Sequence, residues 1–254
     1  MPLTFAHPAA VLPFSRKSKY INFLAMVLGS MAPDFEYFLR GKPYGEIGHT
    51  FTGFVIFNLP IVIIVYWIYK TFIHRTLFNH LPSFFQDTYV NKTNLPRLLK
   101  IIVFIYSTLI GMLTHVVWDS FTHVSGFMVT KVPILNYSIH IFSFHIPIFK
   151  FLQHGSTIVG IIIILAYMYF MTAKYKRDVS GSTTSKQKLI YWGQIALLTT
   201  VLSSVWNLLS NMTIESYGVI VIRIIDSALI SLLIVSLYFN YLMKVYKNSL
   251  ETKI

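Results

Sequence analysis

The sequence has no cysteine. Disulfides, thiolate zinc sites and cysteine nucleophiles are therefore excluded. Charge is scarce too: Asp, Glu, Lys and Arg make up 12% of the residues, against about 25% in an ordinary soluble domain. A soluble chain of 254 residues could not cover its surface with so few charges. Acids are scarcest, 9 against 21 Lys and Arg. Several catalytic signatures are also missing. There is no His-Glu-x-x-His helix, no Gly-x-Ser-x-Gly elbow and no Walker loop. Nor is there a basic phosphatase signature paired with Pro-Ser-Gly-His. No internal repeat is visible. Residues 1–20 lack the layout of a cleavable signal peptide, because Pro2, Pro8 and Pro13 interrupt them and the basic cluster Arg16, Lys17 and Lys19 comes last.

What the chain has in quantity is apolar surface, 55% of its residues. A spanning helix needs about 20 mostly apolar residues. Phe51 to Tyr69 (with a kink expected at Pro60), Ile101 to Trp118, Thr157 to Ala173 and Val219 to Met243 meet that length. Leu189 to Leu209 is a weaker fifth, interrupted by Gln194, Ser203, Ser204 and Asn207. The fold class expected is an all-α integral membrane bundle of about five spans, with short interfacial or re-entrant helices. Tyr20 to Met31 reads as a half-helix or an interfacial one, and Val132 to Leu152 as a re-entrant or interfacial stretch. Residues 1–155 would hold the functional region and 156–254 the remaining spans, within one structural unit.

The net charge of +12 sits in short loops between apolar runs. Such cations face anionic lipid more often than nucleic acid, and no nucleic-acid partner is expected. The loops around Arg75 and Arg177, with the C-terminal tail, carry 13 cations. Arg16, Lys17, Lys19, Arg40, Lys42, Lys131 and Lys150 put 7 on the other side. The positive-inside rule then places the C-terminus in the cytoplasm and the N-terminus outside a cell membrane.

This topology gathers His7, His49, His115, His123, His140, His145 and His154 at one membrane face, together with Asp34 and Asp119. His115, Asp119 and His123 are spaced i, i+4 and i+8. On a helix such residues drift only about 40° per step and form one line. Imidazole and carboxylate at that spacing reach one divalent ion, and Thr114, Ser120 and Thr122 lie near enough in sequence to orient them. Ionisable groups at membrane depth tend to be paired or functional. Arg223 and Asp226, three apart in the last span, read as a structural ion pair.

The segments His7-Pro8-Ala9-Ala10-Val11-Leu12-Pro13, Gly29-Ser30-Met31-Ala32-Pro33-Asp34-Phe35-Glu36-Tyr37-Phe38, Gly48-His49-Thr50 and Thr114 to His123 resemble an uncharacterised family of bacterial membrane proteins. The likeness is good to about residue 155. The order His, Pro-Asp, His-Thr, His-x-x-x-Asp, His is distantly similar to membrane-bound metal-dependent hydrolases. Through them it is similar to the zinc-dependent phospholipase C and single-strand nuclease superfamily. That resemblance implies that Asp34, His49, His115 and Asp119 surround one ion, most plausibly zinc. It implies that His7 lies at a second ion sharing Asp119, and that His123 with His140, His145 or His154 completes the set. The superfamily's final His-x-x-x-Glu is absent, since Ile158 follows His154 and Phe144 follows His140 at that spacing. One or two ions are thus expected rather than three.

The function expected is hydrolysis of a phosphoester on an amphiphilic substrate, a lipid or lipid-linked molecule, with Asp34 or Asp119 as catalytic carboxylate. Two rivals stand beside it. One is a transporter or ion-handling protein that uses Arg223 and Asp226 as part of its route. The other is a non-catalytic scaffold with a structural metal.

Overall fold

A computed structural model describes residues 3–89, 91, 93–141, 144–175, 183–210 and 217–251. Lys92, Lys176, Arg177, Lys253 and the Ser180-Gly181-Ser182 run lie outside the described residues.

The protein is helical. A short helix, α1 (Phe23–Gly29), precedes five long ones: α2 (Phe51–His80), α3 (Arg97–Asp119), α4 (Ile148–Tyr175), α5 (Ser185–Leu209) and α6 (Tyr217–Glu251). These five are long and apolar enough to cross a bilayer. Ile158, Val159, Ile162 and Ile163 of α4 are exposed, as are Leu229, Ile230 and Leu237 of α6. Water would penalise each by roughly 1.5–3 kcal/mol, whereas lipid accepts them.

Local chemistry sets the boundaries. Pro96 precedes the first residue of α3, where a missing N–H costs nothing. Thr184 and Gln187 form a reciprocal capping box at the start of α5. Helix α2 runs past Tyr69 to His80 and holds two π-turns, Phe54–Asn58 and Tyr69–Ile73. The first ends just before Leu59 and Pro60, where the proline ring would otherwise meet the preceding turn.

Between Val132 and Leu152, read from the sequence as a re-entrant or interfacial stretch, the backbone forms a small hairpin, β1 (Ser138–Ile141) antiparallel to β2 (Phe144–Pro147), and α4 begins at Ile148. The alternation of Ile and Phe with polar residues has period two, the strand period, and Pro147 closes the second strand.

The chain divides into two compact units. The first holds Met1–Phe35, Glu46–Ile63 and Tyr89–Lys174. Here α1 lies against α3 with backbones in direct approach. A Cβ on Gly29 would stand 2.2 Å from the carbonyl oxygen of Thr108, and one on Gly111 2.2 Å from that of Met26. Small residues permit such crossings inside membranes.

The second unit holds Glu36–Gly45, Ile64–Thr88 and Tyr175–Ile254. Tyr191 and Ile195 of α5 pack on Val235 of α6, and the Tyr191 hydroxyl lies 2.9 Å from Ser236 Oγ. The expected ion pair is absent: among the described residues, no ion pair joins Arg223 to Asp226. Arg223 turns instead to the end of α5. Its Nη1 donates to Asn207 Oδ1 at 3.2 Å and to Ser210 Oγ, and the guanidinium lies 5.3 Å from the Trp206 ring centre. A long cationic side chain near a helix start reaches outward, toward the interface, rather than inward to Asp226 one turn deeper.

Candidate metal centre

The first unit brings together residues from four separate places in the chain. Thr4–Val11 forms a 3-10 helix that buries His7. Ala32–Asp34, another 3-10 turn after α1, carries the fully buried Asp34. His49 lies just before α2, and His115 and Asp119 are on the last turns of α3.

His115 and Asp34 are each held by a partner outside the cluster. The Nδ1 of His115 lies 2.8 Å from the carbonyl of Ser30, so it carries the proton and its Nε2 faces inward. Thr4 donates to Asp34 Oδ2 at 2.7 Å, leaving Oδ1 for the centre. The loop carrying His49 is fixed twice. Buried Asn58 donates to the Gly48 carbonyl at 2.6 Å, and Thr50 caps α2 by accepting from the Gly53 amide at 3.0 Å. A Cβ at Gly53 would lie 1.9 Å from the Ile47 oxygen, so that turn closes only on glycine.

The inward atoms converge. Asp34 Oδ1 is 3.6 Å from His49 Nε2 and 3.5 Å from His115 Nε2. Asp119 Oδ2 is 3.7 Å from His49 Nε2 and 3.2 Å from His115 Nε2. All four ligand atoms lie within 4.8 Å of one another. Most of these separations are long for hydrogen bonds. They match the edge of a tetrahedron around an ion, about 3.3 Å for bonds of about 2.0–2.1 Å. Asp34 Oδ1 and His115 Nε2 are buried and have no hydrogen-bond partner. A buried orphan of this kind is costly unless something else satisfies it.

The other carboxylate oxygen of Asp119 faces a second pair. Its Oδ1 lies 3.5 Å from His7 Nε2 and 3.6 Å from His123 Nδ1. His7 also stacks on His115, with ring centres 3.7 Å apart. Both His7 ring nitrogens and Asp119 Oδ1 are buried without hydrogen bonds.

His7, His123 and Asp34 are shifted toward the forms that can ligate a metal. Burial, reinforced by the neighbouring His115, takes His7 from its ordinary 6.5 down to about 3. Burial also lowers His123, partly offset by Asp119. For Asp34, burial opposes ionisation most strongly, yet the imidazoles of His115 and His7 bring it below the usual carboxylate value.

The centre differs from the line of residues expected on one helix. Helix α3 stops at Asp119, and His123 follows in a turn. The His123 amide still bonds the Asp119 carbonyl at 3.1 Å, which keeps the imidazole beside that carboxylate. Of the three hydroxyls expected to orient ligands, Thr122 lies 3.3 Å from His123 Nδ1. Thr114 and Ser120 bond backward to the carbonyls of Gly111 and Val117 instead. His140 and His145 face each other across the hairpin, exposed, with ring centres 4.3 Å apart. His154 is exposed on α4. None of these three belongs to the four-residue group. Thr4, Asn58 and the Ser30 carbonyl were not foreseen, because a positioning contact leaves no pattern in a single sequence.

A family model described as "Domain of unknown function (DUF4184)" matches residues 1–237. The chain belongs to this family. The match runs well beyond residue 155 and takes in most of the last span. No curated protein and no solved structure matches the chain. Membership of the DUF4184 family therefore supports an uncharacterised multi-pass membrane family and assigns no reaction.

Proposed function

We propose that the protein is a membrane-bound, metal-dependent hydrolase of an amphiphilic phosphoester. The observation that carries the reading is the convergence of unpartnered buried atoms, Asp34 Oδ1 and His115 Nε2 above all, at ion-ligand spacing. Asp34, His49, His115 and Asp119 would hold the first ion, assigned as zinc because imidazole with carboxylate suits it. His7 and His123, with the other oxygen of Asp119, would hold a second. Such ions supply an acidified water and a Lewis acid for a phosphoryl oxygen. Asp34 and Asp119, the carboxylates of the set, would be the groups that orient that water.

The open edge of the centre is formed by His49 and His123, whose side chains are 32% and 28% exposed. Close to them in sequence, Phe51, Phe121, Val124 and Phe127 are exposed. Apolar residues flanking a polar opening at the end of a spanning helix suit a substrate with its tail in lipid and its phosphoester at headgroup level. The outer leaflet is the proposed location, on the charge asymmetry of the loops.

A second reading, ion handling, is favoured by one observation. In α6, Asp226 Oδ2 and the hydroxyls of Ser227 and Ser231 are buried without partners. Metal content and hydrolysis of a generic phosphodiester and a short-chain phospholipid, measured together on purified protein, separate the readings. Bound metal with turnover lost in His115→Ala supports the hydrolase. Bound metal without turnover of either substrate supports a structural role, and no stably bound metal removes both and leaves ion handling.

A further inference from the structure

We infer that the Arg16–Lys19 loop lies on the membrane face opposite the metal centre and docks there onto anionic phospholipid. The placement follows from the path of residues 3–31, whatever reaction the centre performs. Contacts between α1 and α3 rise together along both helices. The Asn22 amide donates to Ser107 Oγ at 3.1 Å, Gly111 meets the Met26 backbone, and Ser30 accepts from His115 at 2.8 Å. Helix α1 therefore runs parallel to α3 and climbs toward the centre.

The residues before α1 must come from lower down. The Tyr106 hydroxyl donates to the Tyr20 carbonyl. At a rise of about 1.5 Å per residue, Tyr106 is about 20 Å from Asp119 along the axis and nearer the Arg97 end. From there the chain reaches the segment that leads into α3. Asn91 Nδ2 donates to the carbonyls of Arg16 and Ser18 at 2.9 and 3.0 Å. The Arg16 guanidinium lies 4.6 Å from the Tyr89 ring centre. His7, by contrast, stacks on His115 at the other end. The N-terminal segment thus descends from the centre, turns at Arg16 to Lys19, and returns as α1.

This placement puts Arg16, Lys17 and Lys19 on the same membrane face as Arg97 and Lys100 of the first turn of α3. The loop distribution of cations changes from 13 against 7 to 16 against 4, which removes the one cluster that opposed the charge rule. Lys17, Lys19, Arg97 and Lys100 are exposed, with Phe14 and Tyr20 exposed beside them. Between Glu46 and Asp119 the sequence has one acid, Asp87. Exposed cations next to exposed aromatics at a membrane face match a phosphate headgroup with its glycerol region below. The predicted occupant is an anionic phospholipid of the cytoplasmic leaflet.

The absence of native cysteine makes the test clean. Single cysteines at Lys19, Asn94 and Ser125 are labelled in intact cells with an impermeant maleimide, then again after lysis. Lys19→Cys and Asn94→Cys should be protected in intact cells, and Ser125→Cys labelled. Lys19→Cys behaving like Ser125→Cys would overturn the placement. Phospholipid retention on the purified protein, read by native mass spectrometry, tests the partner. Lys17→Gln with Lys19→Gln should lower phosphatidylglycerol retention by about fivefold per charge removed. Phosphatidylcholine retention should stay the same. Unchanged thermal unfolding shows that the fold survives. Unchanged phosphatidylglycerol retention would overturn the lipid assignment.

Discussion

His115 Nδ1 is 2.8 Å from the carbonyl oxygen of Ser30, across 85 positions of sequence. That bond aims Nε2 at Asp34 and Asp119 and ties the candidate centre to the crossing of α1 with α3. The crossing depends on Gly29 and Gly111. Gly111→Ala should push the Met26 backbone away and carry Ser30 with it. We expect a loss of about 1–3 kcal/mol in stability and weakened metal binding. Thermal unfolding and bound metal should fall together. A variant with wild-type metal affinity would show that the Ser30 carbonyl does not set the His115 ring.

Asn58 offers a separate control of His49. Its amide is buried and bonds the Gly48 carbonyl at 2.6 Å. Asn58→Leu keeps the volume and removes the clamp. Metal affinity should drop by about 10- to 100-fold, the usual effect of losing a group that orients a ligand. Titration with a competing chelator reads this directly, and an unchanged affinity would sever the link between Asn58 and the site.

Acid should release the metal, because protons compete for ligand atoms. His7 carries little of that competition. Its neutral form persists from above 6.5 down to about pH 3, so across mildly acidic pH it takes up almost no proton. The first ion's release should follow the other ligands. His7→Gln should therefore remove the second ion and leave the pH of first-ion release unchanged. Stepwise acidification with metal analysis of each fraction tests this. A shift in that release pH would show that His7 belongs to the first ion's set.

In the second unit, Arg223 bonds Asn207 and Ser210 rather than Asp226. Arg223→Gln and Asp226→Asn should then affect stability independently, and the double variant should be additive within about 0.5 kcal/mol. Substantial rescue in the double variant would restore the ion pair.

The five spans were legible because bilayer thickness demands a long apolar run, and no other structure puts one there. The cluster of Asp34, His49, His115 and Asp119 was legible because few ionisable residues occur in the chain and these recur in a spaced order. What escaped depended on three-dimensional proximity. The reach of Arg223 toward α5 and the downward path of Arg16 to Lys19 follow from contacts between distant segments. The hairpin at His140 and His145 escaped for another reason: its apolar strands read equally well as part of a helix.

The most direct test is the metal content of the purified protein after mild chelation, for wild type, His115→Ala and His74→Ala. His74 is exposed and bonds Tyr69 in the second unit, so its loss should cost no ion. Wild type and His74→Ala should carry the same one or two equivalents of divalent metal, and His115→Ala should lose at least one of them. Equal metal in all three proteins, or none in any, would contradict the candidate centre and the hydrolase reading built on it.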